Sequence, residues 1–222
     1  MSPPRSGLLV RAATSADFDA IARLTVAAYR ADGQLRGELS YAVTLADVPT
    51  RAAAGEVLVA VDADTGEILG SVTFVLPGSP YAELSTAGES EFRMLAVDPA
   101  AQGRGAGEAL ARACVDRAIA RRCRAVVICA RSFSAPAHRL YARLGFRRIP
   151  ELDWSPQPGV DLFALRLDLA EGLDLVEGLD PVEGVDPAEG VDPTGGLDPV
   201  EGVALAEVSS VDGSQQVGSP AG

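Results

Sequence analysis

The sequence predicts a mixed α/β domain of about seven strands and four helices, carrying an acidic appendage at its C-terminal end. Three observations carry this reading. Short apolar or alternating segments suited to strands are interleaved with segments whose apolar residues fall at helical spacing. The stretch from Glu91 to Cys114 passes from a strand pattern through a glycine turn into a helix pattern. Finally, apolar residues make up 47% of the 222-residue chain, enough for one well-packed domain, while the acidic excess is confined to one end.

Gly7 to Ala13 is a first strand, and Thr14-Ser15 with Asp17 offers an N-cap and an acid in the first turn of a helix. Phe18, Ile21, Leu24, Thr25 and Ala28 keep helical spacing to about Arg30, before Asp32-Gly33 breaks the chain. Leu39 to Ala54 reads as a second helical region interrupted at Val48-Pro49. Glu56–Val61 and Ile68–Leu76 form a hairpin across the turn-rich Asp62–Gly66 connection.

A loop from Pro77 to Gly88 leads to the central strand, in which Phe92, Met94 and Ala96 are expected on one face and Glu91, Arg93, Leu95 and Val97 on the other. Asp98-Pro99 ends it. The helix beyond the glycines places Leu110, Ala113, Cys114 and Ala118 at helical spacing. Arg124 to Ala130 is an apolar run suited to a strand buried on both faces. Ser134 caps the next helix, Pro136 fits its first turn and Gly145 ends it. Arg147–Ile149 and Asp161–Leu169 complete the strands, with Trp154 in the loop between them.

The glycines at the helix mouth admit several readings. A helix start presents unpaired N–H groups and partial positive charge, and glycine lets a phosphate approach that backbone. Gly103, Gly105 and Gly107 are spaced G-x-G-x-G rather than the dinucleotide-binding G-x-G-x-x-G, and a P-loop is excluded because the chain contains no lysine. A pyrophosphate cradle and a flexible turn without a ligand both remain open on the glycines alone.

The flanking residues narrow the choice. Gln102, Gly105 and Gly107 form Gln-x-x-Gly-x-Gly after Leu95-Ala96-Val97-Asp98-Pro99, and Leu140-Tyr141-x-x-Leu144-Gly145-Phe146 follows in the right order. The pair resembles the two hallmarks of the GNAT superfamily of N-acetyltransferases, over residues 7 to 169 and of a bacterial type. The resemblance implies a mostly antiparallel seven-stranded sheet flanked by four helices and splayed between its fourth and fifth strands, where acetyl-CoA inserts.

It also implies roles. The backbone of Leu95, Ala96 and Val97 would pair with the pantetheine arm, and Gln102, Gly103, Arg104, Gly105, Ala106 and Gly107 would hold the pyrophosphate, with Arg104 adding charge. Tyr141 matches the tyrosine that protonates the departing thiolate, against a core-packed tyrosine as the alternative. Glu91 resembles the position of a glutamate that serves as base, against a surface carboxylate or a partner for Arg93. Ser134 stands seven residues before the tyrosine, where many relatives carry an asparagine that bonds the arm, and is shorter. Tyr29 and Tyr41 would line the acceptor site, against ordinary packing as the alternative, and Asp153 and Trp154 stand in the loop that would border it. His138 reads as a solvent-facing or hydrogen-bonded structural residue.

The implied enzyme is an acetyl-CoA-dependent acyltransferase acting on a primary amine of a small molecule or a protein N-terminus. Two other readings stay open, an acyl-CoA-binding sensor without turnover and an interaction protein acting through its acidic end.

Composition sets further bounds. From Glu171 onward there are 12 acidic residues and no arginine, so the other 19 acids balance 19 arginines over residues 1–170. That division sets the expected domains, 1–170 as the acetyltransferase and 171–222 as a tail. The polyanionic tail and the lack of a basic stripe disfavour nucleic acid and anionic membranes as partners. No apolar run reaches transmembrane length and no leader is recognisable, so a cytoplasmic protein, monomer or homodimer, is expected. Cys114, Cys123 and Cys129 are odd in number and lack metal spacing, so free thiols are expected and no metal. The tail repeats with period six, with proline in four hexads (EGLDPV, EGVDPA, EGVDPT, GGLDPV), which favours a disordered chain over stacked β-coils.

Overall fold

The computed structural model describes residues 7–35 and 39–169, and the expectations for the acidic hexad tail lie outside them. Seven strands form one sheet in the order β1-β2-β3-β4-β5-β7-β6. They are β1 (Leu8–Ala12), β2 (Glu56–Asp62), β3 (Ile68–Val75), β4 (Glu89–Val97), β5 (Ala125–Arg131), β6 (Arg147–Arg148) and β7 (Leu162–Asp168). Every neighbouring pair is antiparallel except β4 and β5, which run parallel.

The helices are α1 (Phe18–Ala31), α2 (Leu39–Ala46), α3 (Val48–Ala54), α4 (Ala106–Ala120) and α5 (Ala135–Arg143). The interrupted helical region of the sequence is thus two helices. Asp47 separates them, its side chain accepting the Thr50 N–H at 3.2 Å as the cap of α3. At the start of α1, Asp17 accepts the Thr14 N–H at 2.7 Å and closes the short helical turn that leads in.

Alternation along β2 divides the core between the two faces of the sheet. Leu58 and Ala60 pack with Leu110, Ala111, Cys114 and Ala118 of α4, together with Phe92, Tyr141 and Phe146. Val57, Val59 and Val61 pack with Ile21 of α1 and Val48 of α3. Leu110 and Ile21 are both fully buried, and truncating either to alanine removes on the order of 2–5 kcal/mol.

Two irregularities of β4 shape the site. Pairing of β4 with β5 covers only Glu89–Glu91 against Ala125–Val127, after which the strands diverge. Toward β3, Ser71 pairs with Ala96 and Thr73 with Arg93, so Val72 stands opposite both Met94 and Leu95 in a β-bulge. Met94 takes φ 53°, a left-handed conformation rare for a non-glycine residue.

The bulge corrects the strict alternation expected along this strand. The extra residue reverses the facing, so Phe92, Leu95 and Val97 pack on the α4 side, while Ala96 packs against Leu24 and Ala28 of α1. Glu91 shares its face with Arg93 and, beyond the bulge, with Ala96, not with Leu95 and Val97.

Candidate functional site

Where β4 leaves β5 the sheet opens onto a cavity of about 360 Å³. Its walls come from four regions: Phe92, Arg93, Met94 and Leu95 of β4; Cys129, Ala130 and Arg131 of β5; Ser134, Ala137 and Tyr141 at α5; and Tyr29, Gln34, Tyr41 and Thr44 around α1 and α2. Glu83 and a rim of Trp154, Pro156, Gln157, Val160 and Leu162 complete it. The wall is therefore aromatic, with a carboxylate and two guanidinium groups set into it.

The glycine turn lies at the opposite end of β4. Asp98 accepts the Ala100 N–H at 2.8 Å and starts a short 3-10 turn over Pro99–Ala101 that carries the chain away from the strand. Gly103 and Gly105 then adopt φ 80° and 90°, and side chains at either would meet no neighbouring atom within 4 Å. The first intrahelical bond that α4 makes to its cap is from Ala109 N to Gly105 O at 3.0 Å, so the amides of Ala106, Gly107 and Glu108 precede the helical ladder. Open space around Gly103 and Gly105, beside amides that precede the helical ladder, suits an anionic ligand. Gly107 is different, since a Cβ there would lie 3.4 Å from Val97 and 3.7 Å from both Leu140 and Leu95, at ordinary packing distances.

Arg104 belongs to the same turn but its guanidinium is paired with Asp62 at the end of β2. That arginine and the amides of Asp64 and Thr65 lower the Asp62 carboxyl below its ordinary pKa. A contribution of Arg104 to a pyrophosphate would require it to leave or share this partner.

Of the residues expected at the reacting end, Tyr141 lies in the cavity wall, buried, its ring 6.0 Å from Phe92 and 5.6 Å from Phe146. Burial raises its phenol pKa far above the usual value, so it carries its proton at neutral pH. Ser134 also lines the cavity and, although it stands at the cap position of α5, its side chain makes no capping hydrogen bond. Tyr29 and Tyr41 share one wall with rings 6.1 Å apart. Burial raises both phenols, and Glu83 is among the groups that raise Tyr41 further.

Glu91 is placed differently. It is fully buried and does not form part of the cavity wall. Its Oε2 accepts the backbone N–H groups of Glu83, Leu84 and Ser85 at 2.9, 2.9 and 3.1 Å, tying down the loop before β4. Its Oε1 lies 3.9 Å from Arg93 Nε and has no hydrogen-bond partner among the described residues.

Asp153 does not line the cavity either, accepting the Ala164 N–H at 2.8 Å and pairing with Arg148. Its neighbour Trp154 does reach the cavity, donating its indole N–H to Cys129 Sγ at 3.3 Å. Burial lifts the Cys129 thiol to about 11. His138 has its Nε2 2.9 Å from the Arg131 carbonyl oxygen and its ring against Phe163, in keeping with a structural histidine.

The residue that sequence reasoning missed is Glu83. It lines the cavity, pairs through Oε1 with Arg93 Nη1 at 2.6 Å, and has its pKa raised by burial against the opposing influence of Arg93. Only its position in the Pro77–Gly88 loop hinted at it, and that loop has no motif to distinguish one acid from another. Among the described residues no group of three or more His, Cys, Asp or Glu side chains could hold a metal ion, and no helix is long and apolar enough to cross a membrane.

Comparison with known proteins places this geometry. The model of the acetyltransferase (GNAT) family matches residues 19–146, more than half of the chain. Among solved structures, a GCN5-related N-acetyltransferase from Kribbella flavida is 28% identical, with a TM-score of 0.53 over 75% of this chain and 99% of that one. A histone acetyltransferase HPA2 and related acetyltransferase from Corynebacterium glutamicum is 26% identical, with a TM-score of 0.54 over 72% and 94%. The protein YncA from Salmonella typhimurium, whose structure contains acetyl-CoA, is 25% identical, with a TM-score of 0.51 over 74% and 95%. No curated protein sequence matches.

Proposed function

Because the chain belongs to the GNAT acetyltransferase family, we propose that it is a cytoplasmic enzyme transferring the acetyl group of acetyl-CoA to a primary amine of a small molecule or a protein N-terminus, by direct attack in a ternary complex. The observation that carries the reading is the divergence of β4 from β5 after Glu91, with the amide-lined mouth of α4 beyond one end of the free strand edge and Tyr141 in the cavity beside it. Acetyl-CoA supplies the activated acyl group and a thiolate leaving group.

The residues fit that co-substrate. The unpaired edge of β4 at Leu95, Ala96 and Val97 can add a strand-like ligand through backbone hydrogen bonds. The amides of the turn from Gln102 to Gly107 suit its pyrophosphate, in the open space left by Gly103 and Gly105. Ser134, which lines the cavity, is assigned to bond a polar group of the arm. Tyr29, Tyr41 and Trp154 line the cavity with aromatic rings, to which an acceptor in its ammonium form is attracted before it loses a proton.

Transfer needs an oriented thioester, a deprotonated amine and a proton for the departing sulfur. Tyr141 holds such a proton in a water-poor wall, and we assign it that donor role.

Calorimetric titration of acetyl-CoA and of desulfo-CoA into the full-length protein tests the proposal. Both are expected to bind, and thiol release should then appear when a panel of primary amines is added. Absence of binding by either ligand at high micromolar concentration would remove the basis of the assignment.

A further inference from the structure

Resting on the acetyltransferase reading above, we propose that Glu83 is the group that takes the proton from the acceptor ammonium, and that Glu91 acts through it as a positioning residue. The geometry separates two acids that the sequence does not. Glu83 lines the cavity, whereas Glu91 lies fully buried behind its wall. A general base must come within hydrogen-bond reach of the proton it removes, and only the first of these carboxylates opens onto the space an amine can enter.

Glu91 is committed elsewhere. One of its oxygens accepts three backbone N–H groups, and one of these belongs to Glu83 itself. Three convergent amides fix the direction in which the chain leaves Tyr81 and hence where the Glu83 side chain points. Arg93 completes the arrangement, donating to the Tyr81 carbonyl at 3.1 Å, holding Glu83 at 2.6 Å and lying 3.9 Å from Glu91. Arg93 and Glu91 thus form a frame that presents the Glu83 carboxylate to the cavity.

The surroundings tune that carboxylate for the task. Burial and the negative charge of Glu91 raise its pKa, while Arg93 opposes them. Tyr41 of α2 and Cys129 of β5 feel the charge of Glu83, and Arg131 faces Tyr41 from β5. A raised carboxyl pKa makes Glu83 a stronger proton acceptor than an exposed carboxylate.

The step balances as follows. The ammonium gives one proton to a Glu83 oxygen, and the freed nitrogen lone pair attacks the thioester carbonyl carbon. The C–S bond breaks with its electron pair on sulfur, Tyr141 gives its hydroxyl proton to that sulfur, and the tyrosinate takes the second proton of the attacking nitrogen. Glu83 then releases its proton to water, leaving amide, thiol and one proton.

The test uses the full-length protein with acetyl-CoA and a panel of primary amines that includes methylamine, the smallest probe of a cavity this size. Glu83→Gln should lower kcat/KM at pH 7 by about 100-fold or more, with the Kd for acetyl-CoA unchanged. Its pH profile should lose the acid-side plateau and rise toward the pKa of the amine, a change that a merely structural residue would not produce. Glu91→Ala should lose comparable activity. Glu91→Gln, which keeps an oxygen for the three amides, should recover about tenfold or more of that loss. A Glu83→Gln protein with the wild-type profile, or a Glu91→Gln protein as inactive as Glu91→Ala beside an active Glu83→Gln, overturns the proposal. So does a wild-type protein that binds acetyl-CoA but acetylates no amine of the panel. Failure to bind acetyl-CoA at all strikes the acetyltransferase reading instead, which separates the two.

Discussion

Arg51 Nη1 lies 3.2 Å from Met94 Sδ, so a fully buried guanidinium on α3 touches the one left-handed residue of the central strand. The same arginine donates to the Leu45 carbonyl at 2.9 Å, and no carboxylate pairs with it among the described residues. Burial lowers its pKa, against the weaker opposing influence of Tyr29, Tyr81, Tyr41 and Asp47. Arg51→Ala should therefore cost about 2–4 kcal/mol of stability through cavity and lost hydrogen bond, whereas Arg51→Met, which refills the space without a charge, should cost about 1 kcal/mol. Urea unfolding of the two variants distinguishes them, and equal losses would refute the view that space rather than charge is what the bulge needs.

How legible the protein was in its sequence depends on the range of the interactions involved. The strand, glycine turn and helix around Gly105 could be read because each signal is local: Asp98-Pro99 ends the strand, positive φ calls for glycine, and Leu110, Cys114 and Ala118 repeat at helical spacing. The bulge at Met94 could not. It is fixed by pairing with Ser71 and Thr73 and by contact with Arg51, all distant in the chain, and it reverses the facing of Leu95 and Val97. Glu91 stands out in the sequence only by its place on the strand, and that pattern could not show that three amides of the preceding loop would enclose it, or that Glu83 would line the cavity.

The two glycines of the α4 turn should respond oppositely to alanine. Gly105 holds φ 90° in open space, so Gly105→Ala meets no clash but strains the backbone by about 1–2 kcal/mol, and the displaced amides should weaken acetyl-CoA binding. Gly107 lies inside the helix without positive φ, and an added methyl would contact Val97 at 3.4 Å. Gly107→Ala should be neutral in stability or gain up to about 1 kcal/mol from helix propensity. Thermal melts and calorimetry on both variants check the contrast.

Glu89 makes stability depend on pH at the acid end. Burial raises its pKa, but the Arg166 hydrogen bond and the N–H and hydroxyl of Thr86 outweigh it and bring the group to about 2, from 4.5. A depressed carboxyl contributes stability that is complete above the unfolded pKa and is lost as pH falls through the folded one. The window is therefore pH 4.5 to 2, and the loss across it is on the order of 2–3 kcal/mol. Glu89→Gln should flatten that part of a stability-against-pH curve while lowering stability at pH 7. An unchanged acid slope would refute the assignment.

Tyr141→Phe isolates the proton donor from the ring. The ring packs against Phe92 and Phe146, and phenylalanine keeps those contacts, so folding should change by less than about 1 kcal/mol. What the variant lacks is the hydroxyl proton. If Tyr141 protonates the departing thiolate, kcat should fall about 100-fold or more while the Kd for acetyl-CoA stays the same. The alkaline side of the profile supplies the sign. Burial raises this phenol, so it remains protonated to higher pH than an ordinary tyrosine, and any loss of kcat from its ionisation should begin above pH 10. A Phe variant with wild-type kcat would leave Tyr141 as packing alone and pass the proton to water. A wild-type enzyme losing kcat well below pH 10, with the same loss in the Phe variant, would assign that limb to another group.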